Sequence, residues 1–301
     1  EGATRMMLTY TPNPSSGLPS IEIPAYGTPF EIIRDSLFGF GGVRAQHFVS
    51  QSPTQNGAAY FASRYDSRSI MFSFRISAGS FDEMSALKRQ VSRTFSSAFG
   101  EGVLRIYVDI ANTVYFDINC IPDGVADMFR VLKGAPDKYC LCQVSLTAYS
   151  PFWRDSGGVN TITFGTVSGG FKLPFSFPFT LGEQGVGGAI NQGSVPTPAL
   201  ITIEGAGSNP VVTNTRTGEY ISINYAAQDG DSIVVNTAED ITSVTHYAAD
   251  GTQTDIFNTV ELGSSFFQLL PGLNEITVTD AGATVPQTIT IEWDNLYLGV
   301  F

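Results

Sequence analysis

The sequence predicts a mainly β protein in two consecutive parts. The N-terminal part reads as a β-sandwich or barrel-like domain with one helix and a long hairpin, and the C-terminal part as a β-sandwich of jelly-roll type. Three observations carry this. Short apolar runs alternate with polar residues at a period of two, as half-buried strands require. Turn dipeptides recur between those runs: Asn56-Gly57, Asn209-Pro210, Thr217-Gly218, Asp229-Gly230, Asp250-Gly251 and Pro271-Gly272. Hydrophobic residues make up 43% of the chain and charged residues only 15%, with 31 Gly, a balance that suits many short strands and turns better than a helical bundle. At 301 residues two cores are expected. The predicted division is 1–158 and 159–301.

Element by element, the first 36 residues give strand-like pieces at Arg5 to Tyr10, Ile21 to Pro24 and Phe30 to Arg34, separated by breakers. Val43 to Val49 and Ala58 to Ser63 form the arms of a hairpin around Asn56-Gly57. Neither arm is clearly amphipathic, so the hairpin is expected to pack against something outside its own core. Ile70, Phe72, Phe74 and Ile76 alternate in the clearest strand of the first half. Ser80 with Glu83 forms a capping box for a helix over 80–99, and Met84, Leu87, Val91, Phe95 and Ala98 mark the face that covers a sheet. Leu104 to Asp109, Val114 to Cys120 and Tyr139 to Ala148 complete the strands of this half. Phe171, Phe175, Phe177 and Phe179 lie between prolines in the expected junction, 161–198.

In the second half, strands are expected at 200–204, 211–214, 220–225, 232–236, 242–247, 255–262, 265–269, 275–279, 287–293 and 296–300. Ile221, Ile223 and Tyr225 share one face, opposite Ser222 and Asn224. Ile289, Ile291 and Trp293 face inward.

Charge divides the chain unevenly. Residues 1–150 are balanced, whereas 151–301 hold only Arg154, Lys172 and Arg216 against fifteen acids and carry the whole net charge of −12. An acidic, lysine-poor half repels phosphate backbones and anionic lipid surfaces, so no specific nucleic-acid or membrane partner is expected. The opening EGATRMMLTYTPNP lacks the apolar stretch of a secretory signal, and no run approaches the length needed to cross a bilayer, so the chain reads as soluble. Cys140 and Cys142 share a strand face and Cys120 lies in another strand. A Cys120 bridge to either is geometrically possible, while the odd count without regular spacing favours buried free thiols.

Reactive chemistry is sparse, and catalytic, cofactor-binding and metal sites are all expected to be none. His47 and His246, the two histidines, have no partner at ligand spacing. Gly185, Gly187 and Gly188 lack the parallel-sheet context of a dinucleotide turn. Asp229, Asp231, Asp250 and Asp255 could offer oxygen ligands to calcium, yet they miss its loop spacing and suit hairpin turns. Trp153, Tyr220, Tyr247, Trp293 and Tyr297 could stack on sugar rings if exposed, with core packing the competing role.

The order of Ile190-Asn191-Gln192-Gly193, Thr197-Pro198, the ITIEG run, Asn209-Pro210, Thr217-Gly218-Glu219, Asp229-Gly230-Asp231, Val235-Asn236-Thr237, the Ser265 to Leu269 run, Leu270 to Asn274 and Trp293 to Val300 resembles the distal tail protein family of long-tailed, siphovirus-type bacteriophages. In the first half, the Ile70 to Ile76 strand, the helix after it and Tyr149-Ser150-Pro151-Phe152-Trp153 sit where that family places its strand, helix and domain junction. The resemblance implies a non-enzymatic structural hub without cofactors. Six copies would form a ring that joins the tail tube protein to the baseplate, tail fibre or tail-associated hub protein. It also implies a galectin-like C-terminal sandwich and a place at the tail tip of the virion after assembly in the host cytoplasm. The alternative reading is a carbohydrate-binding module that contacts host cell-wall glycan through that sandwich.

Overall fold

The computed structural model describes residues 6–27, 29–54, 56–109, 111–123, 129–131, 138–165, 184–280 and 287–300. Phe171, Phe175, Phe177 and Phe179 lie outside the described residues. The chain divides into two compact units: the residues to Ser156 together with those from Tyr297 onward, and Gly157–Leu296.

The first unit contains, in order, β1 (Met7–Thr11), β2 (Ile21–Pro24), β3 (Phe30–Phe38), β4 (Ala45–Ser50), β5 (Ala59–Tyr65), β6 (Arg68–Ser77), α1 (Phe81–Thr94), β7 (Gly102–Tyr107), β8 (Tyr115–Pro122), β9 (Phe129–Val131), β10 (Tyr139–Ala148) and β11 (Trp153–Asp155). Its main sheet runs β2-β1-β7-β8-β10-β6-β3, with antiparallel neighbours throughout. The path begins at β2 and finishes at β3, which do not pair, so the sheet stays open where a barrel-like closure was expected. Within it β8 and β10 pair over only Leu146–Pro122 and Thr147–Ile121. That short shared ladder lets the two halves lie over a single core. Leu8, Ile23, Leu104 and Ile118 come from one half and Ile70, Phe72, Phe74 and Val144 from the other, within one cluster.

Strict alternation in β6 leaves Ile70, Phe72, Phe74 and Ile76 with no solvent exposure. Burial of each contributes about 1.5–3 kcal/mol before the entropy of ordering is subtracted. Cys120, Cys140 and Cys142 are buried free thiols, and burial pushes the Cys140 thiol up.

Helix α1 starts as the capping box predicts: Ser80 Oγ accepts from the Glu83 amide at 3.2 Å. Glu83 Oε2 reaches one residue further back, accepting from the Gly79 amide at 2.7 Å. The helix stops at Thr94, earlier than expected. Phe95 is its C-cap, and its ring stacks on Tyr10 with centroids 4.6 Å apart. Ser96 then accepts from the Ala98 amide in a 3₁₀ turn over Ser97–Phe99, a local bond that competes with helix continuation. Ala98 is consequently exposed rather than part of the apolar stripe.

The second unit contains β12 (Asn160–Gly165), β13 (Gln184–Asn191), β14 (Leu200–Glu204), β15 (Gly207–Ser208), β16 (Val211–Asn214), β17 (Glu219–Ser222), β18 (Ala226–Ala227), β19 (Ser232–Asn236), β20 (Ser243–Tyr247), β21 (Gln253–Asp255), β22 (Gly272–Thr279) and β23 (Thr288–Trp293). One sheet runs β12-β23-β14-β19-β20-β21, another β13-β22-β16-β17. They share a core to which Ile201, Ile203, Val235, Ile289, Ile291 and Trp293 come from the first sheet and Val212, Ile221, Ile276 and Val278 from the second. This is a β-sandwich. The inward facing of Ile289, Ile291 and Trp293 is as the alternation predicts.

Three sequence expectations fail here. Beyond Asp255, the last residue of β21, residues 255–262 are not a strand, and neither are 265–269. A 3₁₀ turn occupies Phe257–Thr259, and isolated bridges join Ile223 to Val260 and Thr197 to Leu269. Ile256, Phe267 and Leu269 are buried all the same, while Phe257 and Leu262 are exposed; loop-to-strand bonds such as Ser265 N to Tyr220 O at 2.8 Å satisfy the backbone without a continuous ladder. Ser222, expected to face outward, is also buried, since Ser264 Oγ accepts from its amide at 3.0 Å. Finally β24 (Leu296–Tyr297) leads the chain back to the first unit, where the Tyr297 hydroxyl donates to Asp155 at 3.0 Å.

Candidate assembly interface

Strands β4 and β5 pair only with each other, from Ala45–Tyr65 to Ser50–Ala59, with a register shift between Phe48 and Val49. No residue of either strand is buried. The Asn56-Gly57 turn is as predicted, with Gly57 at φ +81°, a conformation that favours glycine. Phe61 is 68% exposed, Tyr60 62% and Val49 58%. Contacts within the hairpin are local: Tyr60 Oη lies 2.7 Å from Ser63 Oγ, Arg64 Nε donates to Gln46 at 3.1 Å, and Arg64 covers Phe48. An isolated two-stranded hairpin is marginal in water. Aromatic groups displayed on such a ribbon are exposed apolar surface of the kind that protein contacts cover.

The hairpin root, by contrast, is tied down. The Asp66 amide donates to Arg44 O at 3.0 Å, and the Tyr65 ring meets Phe152 edge to face at 5.5 Å. Phe40, just before β4, stacks on the fully buried Trp153 with centroids 5.6 Å apart.

The residues weighed for chemistry fall into structural positions. His47 is exposed on the hairpin, edge-on to Tyr60. His246 sits on the inner face of β20, opposite Ile233, in a cluster the sequence did not reveal. Its Nε2 is 3.0 Å from Asp231 Oδ2, and its Nδ1 is 3.1 Å from the Tyr225 hydroxyl. Asp231 also accepts from the Gln228 and Ala249 amides, at 2.9 and 3.1 Å. These bonds, Gln228 first and His246 next, hold its carboxyl below the usual range. An acid, an imidazole and a phenol are thus aligned, but all are consumed by turn amides and core contacts.

Asp250 accepts from the Thr252 amide and Asp255 from the Phe257 amide, both at 2.9 Å, as side chains at turns do. Among the described residues no group of three His, Cys, Asp or Glu side chains could hold a metal ion. Gly187 and Gly188 lie in β13, an antiparallel strand; a Cβ on Gly187 would fall 2.2 Å from the Phe164 ring, so close packing explains this residue. Trp153 and Trp293 are core residues, while Tyr220, Tyr247 and Tyr297 are half-buried. A surface cleft of about 320 Å³ between Leu18-Pro19 and the Arg89 and Arg93 side of α1 holds no nucleophile and base pair. No helix among the described residues is long and apolar enough to cross a membrane.

The described residues form an open β-body with one covering helix and a hairpin, and a β-sandwich. Residues 192–297 match the family described as "Siphovirus-type tail component, C-terminal domain". The fold is similar to that of the SPP1 Dit protein, whose crystal structure is described as a paradigm of the hub adsorption apparatus in phages that infect Gram-positive bacteria. The TM-score is 0.55 at 10% identity, covering 87% of this chain and 98% of that one. A chain of the phage P2 baseplate in its activated conformation with Ca gives a TM-score of 0.46 at 10% identity, covering 96% of this chain and 98% of that one. No curated protein sequence matches the chain. The chain therefore has a fold like that of the SPP1 Dit protein, and residues 192–297 carry the sequence pattern of a siphovirus-type tail component's C-terminal domain.

Proposed function

We propose that this protein is a structural hub at the phage tail tip, that six copies close into a ring, and that the ring joins the tail tube to the baseplate or tip fibre. The single observation that supports this most is the β4–β5 hairpin, an apolar ribbon with no core of its own on a distal tail fold. A ring needs a heterologous contact in which one patch of each copy meets a different patch of the next. The hairpin supplies the first patch, and the second lies on the body of the next copy. The sandwich is a galectin-like domain, and its acidity keeps it off nucleic acid. The role is architectural and needs no turnover.

Light scattering and negative-stain imaging of the full chain at micromolar concentration test this. A six-membered ring is expected, alone or with neighbouring tail proteins. A strict monomer under both conditions overturns it.

A second reading gives the sandwich a glycan-binding face, favoured by the half-buried Tyr220 and Tyr247. A glycan array with the full chain decides it; silence across host wall polysaccharides removes it.

A further inference from the structure

We propose that Arg68, together with the returning segment Tyr297–Val300, is a clamp that fixes the direction in which the β4–β5 hairpin leaves the body. Arg68 is the first residue of β6, three residues beyond β5, and it is 3% exposed. A buried guanidinium without a carboxylate is costly unless its N–H groups are all matched. Here the match is made entirely by backbone carbonyls. Nη1 donates to Gly39 O at 2.5 Å and Gly41 O at 2.7 Å, Nε to Pro151 O at 2.7 Å, and Nη2 to Leu298 O at 2.6 Å. Its plane also faces Trp153 at 5.8 Å.

Those carbonyls belong to three stretches far apart in sequence. Gly39 and Gly41 precede β4 and form the root of the hairpin's first arm, while Arg68 itself follows the second arm. One side chain therefore fastens both roots. The third stretch comes from the far end of the sequence, where Val300 N donates to Phe40 O at 3.0 Å. The backbones at Gly299 and Gly41 touch so closely that a Cβ on Gly299 would fall 2.9 Å from the Gly41 carbonyl carbon. Phe40, held between this segment and the Trp153 ring, cannot shift without breaking both contacts. Burial pushes the guanidinium down to about 10, which leaves it charged at neutral pH. The charge makes all four bonds short and strong.

The clamp positions the hairpin and touches no partner itself; its importance for assembly rests on the reading of the hairpin as a ring contact. The test uses the full chain with nitroxide labels on Ala62→Cys in the hairpin and Glu22→Cys in the body, both exposed. The natural thiols are buried and stay unlabelled. The parent is expected to give one narrow distance distribution. Arg68→Gln and Gly299→Val are expected to broaden it at least twofold, with amide protection of the β6–β10 ladder unchanged and ring formation weakened at least tenfold. If Arg68→Gln melts the body, Gly299→Val decides alone, because it acts only through the Gly41 backbone. An unchanged distribution in the variants overturns the clamp whether or not rings form. A broadened distribution with ring formation intact keeps the clamp and removes the hairpin from the ring contact.

Discussion

The hairpin β4–β5 and the ladder β6–β10 are both two antiparallel strands from the same unit, separated by two residues of chain, yet they meet opposite fates. In β6 Ile70, Phe72, Phe74 and Ile76 alternate and all four are inside, with Met71 half-buried on the other face. In β4 and β5 aromatic and polar residues are mixed without a period, and nothing is inside. Apolar content alone does not bury a strand; a face does, because only side chains on one side of the pleat can reach one core. A ribbon rich in Phe and Tyr but lacking a face leaves those rings exposed.

Four experiments break or sharpen that contrast. Phe74→Ala removes a ring with no solvent exposure and should destabilise the first unit by roughly 3–5 kcal/mol, read by chemical denaturation. Ser80→Ala, which deletes the cap of α1, should cost about 1 kcal/mol in the same assay. Asp231 probes the sandwich through pH: its carboxyl lies below its unfolded value, so its stabilising contribution is present above that value and lost as pH falls through the folded one. Denaturation midpoints should decline in that acid window, and Asp231→Asn should flatten the decline; an equally steep curve in the variant removes Asp231 as the cause. Phe61→Ser should change monomer stability by less than about 0.5 kcal/mol while ring assembly, followed by light scattering, is lost. A large loss of stability instead would mean that Phe61 belongs to the body's core.

Much of this was legible in the sequence, for a reason that individual residues make plain. Ile70 to Ile76, Ile289 to Trp293 and the Ser80 cap announce themselves through spacings of two to four residues, which are local and need no knowledge of the fold. The Asn56-Gly57 turn and the lack of a face in its arms are local as well. What was hidden depends on distant partners. Arg68 looks like any cation before a strand until carbonyls 27 to 230 residues away converge on it. Asp231, Tyr225 and His246 come together only because β19 and β20 pair with Ile233 opposite His246. Residues 255–269 misled for a related reason: a loop stitched to neighbouring strands buries Ile256, Phe267 and Leu269 without a ladder, and leaves Phe257 and Leu262 exposed. Nothing in the sequence near Gly299 signals the close approach of Gly41.

The first unit is completed by residues on either side of Gly157–Leu296, and this orders the protein's biogenesis. On the ribosome, Gly39, Gly41, Arg68 and Pro151 emerge before the second unit, whereas Leu298 follows it. Until Leu298 is made, Arg68 has three of its four carbonyls, so the first unit is complete only after the whole of the second has been synthesised.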